Sequence, residues 1–164
     1  MCYHTSMEKQ NNTQTNQMIA LQTNIQPVAL TVDNYLTEVS DTLRSKIEEL
    51  MEDSFYLDDM LDFINEHGDD NFINYYDDYV RFGEDNSYAA VDAFIEEFGI
   101  QEVERFEDAY HGEWETPEIF AEVYCDDMGY KVPEFVVVDW EATWEQNLQY
   151  DYAFNNGFVF IKNY

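Results

Sequence analysis

From Asp33 onward, apolar residues recur at steps of three and four, the period that lays a single stripe along a helix. Leu36, Val39, Leu43, Ile47 and Leu50 predict an amphipathic helix over 34–52 with Asp33 as its cap. Ser54 is placed to cap a second helix, whose Leu57, Met60, Leu61 and Ile64 face inward and which ends at Gly68. A third, over 70–81, buries Phe72, Ile73, Tyr76 and Val80 before a break expected at Gly83. The fourth is the clearest: Ser87 caps it, Tyr88, Val91, Phe94, Ile95 and Phe98 share a face, and Gly99 closes it.

Beyond Gly99 the pattern changes. "VERFEDAY" (103–110) alternates as a strand does, and Thr116 followed by Pro117 opens a helix running to about Met128. "PEFVVV" (133–138) leads into a helix near 139–148. At the end, "LQYDYAFNNGFVFIKNY" reads as a hairpin, with Asn156-Gly157 suited to a tight turn between aromatic-rich strands. The fold class expected is α+β: an elongated, acidic helical part over 32–100, then a small α+β domain over 101–164 with a C-terminal antiparallel hairpin. Residues 1–31, rich in Asn, Gln and Thr over their first 26, have little to bury and predict a disordered segment.

Charge changes this picture more than any motif does. The 164 residues carry 36 acids against 7 Lys and Arg, a formal charge of −29. Such a balance favours disorder when apolar groups are scarce. Here 3 Trp, 13 Tyr and 12 Phe supply a core, since burying one such ring stabilises by roughly 1.5–3 kcal/mol. Two exposed carboxylates about 6 Å apart repel by only ~0.7 kcal/mol in water, less in salt, so folding survives the charge at some loss of stability. Rings turned inward and acids turned outward reconcile the two compositions. Glu8 is the one acid of residues 1–31, balanced by Lys9, so the whole net charge falls on residues 32–164.

Enzymatic and metal chemistries find little support. Pairs of carboxylates suit glycoside hydrolysis, but with 36 acids pairs are guaranteed and carry no information. Neither "EHGDDNFINYYDDY" nor "GEDNSYAAVDAFIEE" has the register of a calcium loop, with its sixth-position glycine and twelfth-position glutamate. His67, His111 and Cys125 lack the paired spacing of a zinc site. His67, beside Gly68, suits a helix C-terminus; His111 is expected in a turn and Cys125 in the core. Cys2 and Cys125 build no disulfide framework, and no apolar run approaches the ~20 residues of a membrane span. A noncatalytic cytoplasmic protein is expected, one without cofactor or metal that avoids membranes and nucleic acid.

What remains is the charge itself, either a solvated surface serving solubility or a binding surface. At one charge per ~1.7 Å of duplex axis, −29 equals roughly 49 Å of DNA, about 14–15 base pairs. A field of that density is drawn into clefts where Lys and Arg await phosphates. The acids expected to form such an array are Asp58, Asp59, Asp62 and Glu66 on the second helix and Asp69, Asp70, Asp77, Asp78, Glu84 and Asp85 on and after the third. Asp92, Glu96 and Glu97 continue it on the fourth, with Asp92 and Glu96 neighbours at i and i+4. Glu107, Asp108, Glu113, Glu115, Glu118, Glu122, Asp126 and Asp127 extend it into the C-terminal part.

The stretches "RFEDAYHGEWETPEIFAEVY" (105–124) and "VDWEATWEQNLQYDY" (138–152), with weaker support from "INEHGDDNFINYYDDY" (64–79), resemble the ArdA antirestriction family over roughly residues 60–164. The resemblance implies an elongated, acidic, dimeric mimic of B-form DNA, encoded on phages or mobile elements, that occupies the DNA-binding groove of type I restriction-modification enzymes. Phe106, Glu107, Asp108, Tyr110, Gly112, Phe120, Ala121, Glu122, Asp139, Trp140 and Glu141 sit in the matching motifs. Their rings and small residues are expected to be structural, and Glu107, Asp108, Glu113 and Glu122 to join a phosphate-like array. Asp139 is read first as a helix cap. Members of that family open with a strand-rich domain, which residues 1–31 do not suggest, so a shortened mimic with an altered target range is implied. A homodimer is expected, with apolar surface offered by Phe135 to Val138 and the terminal hairpin; a buried core strand is the competing use of the same residues. Two rival functions use the same electrostatics: inhibition of another nucleic-acid-handling defence such as a CRISPR effector, and chaperoning of a basic protein.

Overall fold

The computed structural model describes Leu36 and residues 39–163. The chain divides into two units, Met1–Ser40 and Asp41–Tyr164, and every element named below belongs to the second. The disorder expected over 1–31 and the Asp33 cap lie outside the described residues. α1 spans Asp41–Glu52 and buries Leu43, Ile47 and Leu50, as the stripe predicts. It does not extend back over Val39, where the chain bends. Ser40 and Asp41 are both of the residue types that favour a helix start over a helix interior.

α2 (Leu57–His67) and α3 (Asp69–Asp85) meet at Gly68, whose N–H donates to the Ile64 carbonyl at 2.7 Å. Ser54 is not the cap of α2: its φ of 76° places it in the turn before, and the residue preceding α2 is Tyr56, which makes no side-chain cap bond. Gly83 does not break α3 either. It lies inside the helix and buried, where a Cβ would stand 2.4 Å from the Tyr88 ring. Glycine is there to let α3 and α4 (Tyr88–Phe98) approach. Overpacking costs about 1–3 kcal/mol, more than the ~1 kcal/mol that alanine gains over glycine within a helix. Gly83→Ala should therefore lower Tm in a thermal melt followed by circular dichroism; a variant as stable as the parent would show that the Tyr88 ring swings away freely. Ser87 does precede α4 but makes no side-chain cap bond, and Gly99 ends α4 with φ 93°.

After Gly99 the chain stays helical, contrary to the strand expected from "VERFEDAY". A 3-10 turn over Ile100–Arg105 leads into the single turn α5 (Phe106–Ala109), and extended backbone begins only with β1 (Tyr110–Glu113). Ile100, Val103, Phe106 and Ala109 are buried at three-residue steps, a helical period that the local alternation of charge obscures. α6 (Pro117–Asp127) starts as predicted, with Thr116 Oγ1 accepting from the Ile119 N–H. α7 (Trp140–Gln146) is capped by Asp139, whose Oδ1 accepts from the Ala142 N–H at 2.9 Å.

The predicted hairpin is present. β2 (Tyr152–Asn155) and β3 (Phe158–Ile161) flank Asn156 and Gly157, both at positive φ as a two-residue turn of this kind requires. β3 is also the middle strand of a three-stranded antiparallel sheet in the order β1-β3-β2. β1 pairs with it through a bulge between Tyr110 and Glu113, with Gly112 at φ 97°.

Alternation along the hairpin gives the sheet two apolar faces. Phe160 packs on Phe94 and Phe98 of α4 at ring distances of 5.5 and 6.1 Å, joined by Phe106. On the other face, Tyr152 and Val159 form a second core with Phe120, bordered by Trp114, Tyr124 and Trp144. The core thus runs without interruption across the 100/101 junction. Asn155 fastens the same contact from the polar side, its Nδ2 donating to the Ala93 carbonyl at 3.0 Å and to Glu96 Oε2 at 3.1 Å.

A candidate anionic partner-binding surface

Most acids of the expected array stand on helices that also bury rings or an aliphatic stripe. Asp58, Asp59, Asp62 and Glu66 lie on α2, opposite its buried Met60, Phe63 and Ile64. Asp69, Asp70, Asp77, Asp78, Glu84 and Asp85 lie on α3, and Asp92, Glu96 and Glu97 on α4. Glu107 and Asp108 lie on α5, Glu113 ends β1, Glu115 follows it, and Glu118, Glu122, Asp126 and Asp127 lie on α6. All of these are exposed except Asp78 and Glu118, which are half-buried, and no polar or charged residue is buried among the described residues.

The acids differ in what already engages them. Lys46 Nζ reaches Asp77 at 2.6 Å and Arg81 reaches Asp78 at 2.6 Å, so these two are locally neutralised. Glu96 accepts from both Asn155 and Asn156 and therefore holds the hairpin turn against α4. Asp92 accepts from the Tyr79 hydroxyl at 3.0 Å, and burial of its carboxyl raises its pKa, with Glu66 adding to the rise. The Tyr79 hydroxyl is pushed up by burial and then by the Asp92 charge, so it stays neutral and donating. Glu118 is held below the usual range by the Thr116 hydroxyl at the start of α6. Glu97, Glu107, Asp108, Glu122, Asp126 and Asp127 make no ion pair or side-chain hydrogen bond with another described residue and so are available to a partner, as are the equally untied acids of α2.

The other candidate residues resolve as follows. His67 ends α2 with its ring 4.5 Å from that of Phe63, consistent with a structural place at a helix C-terminus. His111 is in strand β1 rather than a turn; its ring meets Tyr152 edge-on at 5.2 Å, and desolvation lowers its pKa. Cys125 is half-buried rather than in the core. Phe135 and Val137 are 88% and 96% exposed and belong to no strand, whereas Phe158, Val159 and Phe160 of the hairpin are buried. Of the two apolar segments expected to offer surface, the 135–138 segment does so and the hairpin is core.

Among the described residues no three His, Cys, Asp or Glu converge to hold a metal ion, and no helix is long and apolar enough to cross a membrane. The chain matches no family model, no curated protein and no solved structure.

One grouping escaped the sequence reading altogether. α2, α3, α4 and the turn before α2 bring Phe55, Tyr56, Phe63, Tyr76, Tyr79 and Tyr88 around a cleft of about 580 Å³. Asp53, Asp59, Asp62, Glu66 and Glu84 share its walls with His67, and among the described residues no Lys or Arg does. The rings come from three helices and the turn before them, between positions 55 and 88, so no local period announces them.

Proposed function

We propose that this chain is a noncatalytic antirestriction protein, a mimic of B-form DNA that acts in the host cytoplasm by occupying the DNA-binding groove of a type I restriction-modification enzyme. The observation that carries the reading is the segregation of charge: among the described residues every acid of the array is exposed, or partly so at Asp78 and Glu118, while the interior holds rings and no charged group. Carboxylates fixed on folded elements offer a basic groove the charge of a nucleic acid without the cost of bending a duplex. The resemblance to the ArdA family at 105–124 and 138–152 supplies the target class. Purified type I methyltransferase tests it: the chain should bind tightly and compete with the enzyme's DNA site. Binding no tighter than to an unrelated basic protein at moderate salt would sink the proposal.

The mimic acts as a homodimer, which doubles its charge to the equivalent of about 29 base pairs and suits an enzyme reading split sites. Exposure of Phe135, Val136 and Val137 in one run supports this, since contiguous exposed apolar side chains favour burial against a partner. Phe135→Asp combined with Val137→Asp is expected to convert a dimer to a monomer in size-exclusion chromatography with light scattering. A dimer surviving both changes would place the interface elsewhere.

A further inference from the structure

The cleft walled by Tyr76, Tyr79 and Tyr88 is built differently from the rest of the acidic surface. Its rings pack on one another: Phe63 lies 5.1 Å from Tyr76 and 5.0 Å from Tyr79, and Tyr79 lies 5.4 Å from Tyr88. At its rim Tyr56 is 76% exposed. Tyr76 is only 3% exposed, yet its hydroxyl makes no hydrogen bond with any described residue. No buried side-chain oxygen among the described residues lacks a partner, so the Tyr76 oxygen must open on the cleft. It is a polar atom set among packed aromatic rings and left for something else to bond.

Charge narrows what that something is. The nearest carboxylate influences come from Asp59 on both Tyr76 and Tyr88, and from Glu84 on Tyr88. Burial first, and the Asp59 charge second, keep the Tyr76 hydroxyl neutral, pushed up to about 12. The nearby cations Lys46 and Arg81 are committed to Asp77 and Asp78, outside the cleft. Aromatic faces, carboxylates at the rim and a neutral oxygen that accepts a hydrogen bond together fit an organic cation. The volume falls in the range of about 300–1,000 Å³ typical of ligand pockets.

We propose that this cleft receives an arginine side chain presented by a protein partner. A guanidinium is flat enough to stack on a tyrosine face while its fork donates to a carboxylate and to a phenol oxygen. A lysine ammonium is a compact, strongly hydrated point charge and gains less from the rings. The inference rests on the DNA-mimic reading only for the owner of the arginine, a basic groove. It adds a mode of recognition that a row of phosphate-like charges lacks, because the arginine enters the mimic instead of lying along it.

The test uses the full chain and three capped tripeptides, Gly-Arg-Gly, Gly-Lys-Gly and Gly-citrulline-Gly, titrated while the ring protons of Tyr76, Tyr79 and Tyr88 are followed by NMR. The arginine peptide should shift these rings saturably. Citrulline, isosteric but uncharged, should bind about tenfold more weakly, and lysine should fall between. Asp59→Asn and Tyr76→Phe, which keep size and ring, should each weaken the arginine peptide several-fold, whereas Glu104→Gln, outside the cleft, should not. Equal binding of citrulline and arginine overturns the proposal, as does equal loss from Asp59→Asn and Glu104→Gln. A chain that binds the methyltransferase but not the arginine peptide loses this inference and keeps the mimic reading. The reverse result keeps the cleft and removes the mimic.

Discussion

Phe106→Ala should cost about 3–5 kcal/mol of folding free energy, the usual range for deleting a phenylalanine ring from a packed core. Phe106 is wholly buried where α5 joins the helical residues to the sheet. Its ring lies 5.3 Å from Phe82 of α3, 5.6 Å from Phe94 of α4 and 6.3 Å from Phe160 of β3, and stacks at 5.0 Å on Tyr110 of β1. Those neighbours come from separate elements, so they cannot close the gap without several of them shifting together. Total stability for a domain is only about 5–15 kcal/mol, and here the self-repulsion of a −29 chain is subtracted from it. The variant is therefore expected to be partly unfolded at low ionic strength and to recover as salt screens the acids. Urea denaturation, which leaves ionic strength unchanged, measures both effects. Phe135→Ala is the matched control: the same residue type, 88% exposed, should move monomer stability by no more than about 0.5 kcal/mol. Similar losses in the two variants would mean that the ring cluster is not the centre of the fold.

How much of this was legible beforehand depends on whether the information was local. The Thr116 and Asp139 caps and the Asn156-Gly157 turn each reside in a few consecutive residues and are found where the pattern puts them, and the stripes hold at Leu43, Ile47, Leu50, Met60, Ile64, Val91 and Phe94, though Tyr88 is exposed and Leu57 and Leu61 only half-buried. Gly83 was misleading because one residue type serves opposite ends: a glycine that ends a helix and a glycine that lets another ring approach look alike until Tyr88 is seen against it. β1 was hidden by its brevity, since Tyr110–Glu113 is four residues long with a single large apolar side chain, too few to establish the alternation that marks a strand. The exposure of the acids followed from composition, since carboxylates have no other place beside so many rings. Which of them are engaged did not follow. Lys46 reaches Asp77 across 31 residues and Asn155 reaches Glu96 across 59, and such pairings exist only once the helices and hairpin have packed.

Those pairings decide which charges can serve a partner, and hence the form of the second large effect. Asp77 and Asp78 already have cations, and Glu96 and Asp92 have donors that a neutralising change would disturb. Glu107, Asp108, Glu122, Asp126 and Asp127 have no such ties, so replacing them by Gln and Asn alters charge with little change in packing. With DNA, each phosphate contact contributes about 0.9 to the slope of log K against log salt, so loss of five contacts removes up to roughly 4.5 from it. Between about 50 and 200 mM salt such a change is worth up to roughly 500-fold in affinity. Carboxylates on a protein condense fewer counterions than a duplex, so the measured difference should fall below that ceiling while remaining well above tenfold. Binding of the five-site variant to the methyltransferase, titrated at several salt concentrations, should be weaker at low salt and flatter in its salt dependence than that of the parent. Unfolding in urea should meanwhile need slightly more denaturant, because like-charge repulsion has been removed. A variant with unchanged affinity and unchanged slope, still folded, would exclude α5 and α6 from the contact and leave the acids of α2 to α4 to account for any binding.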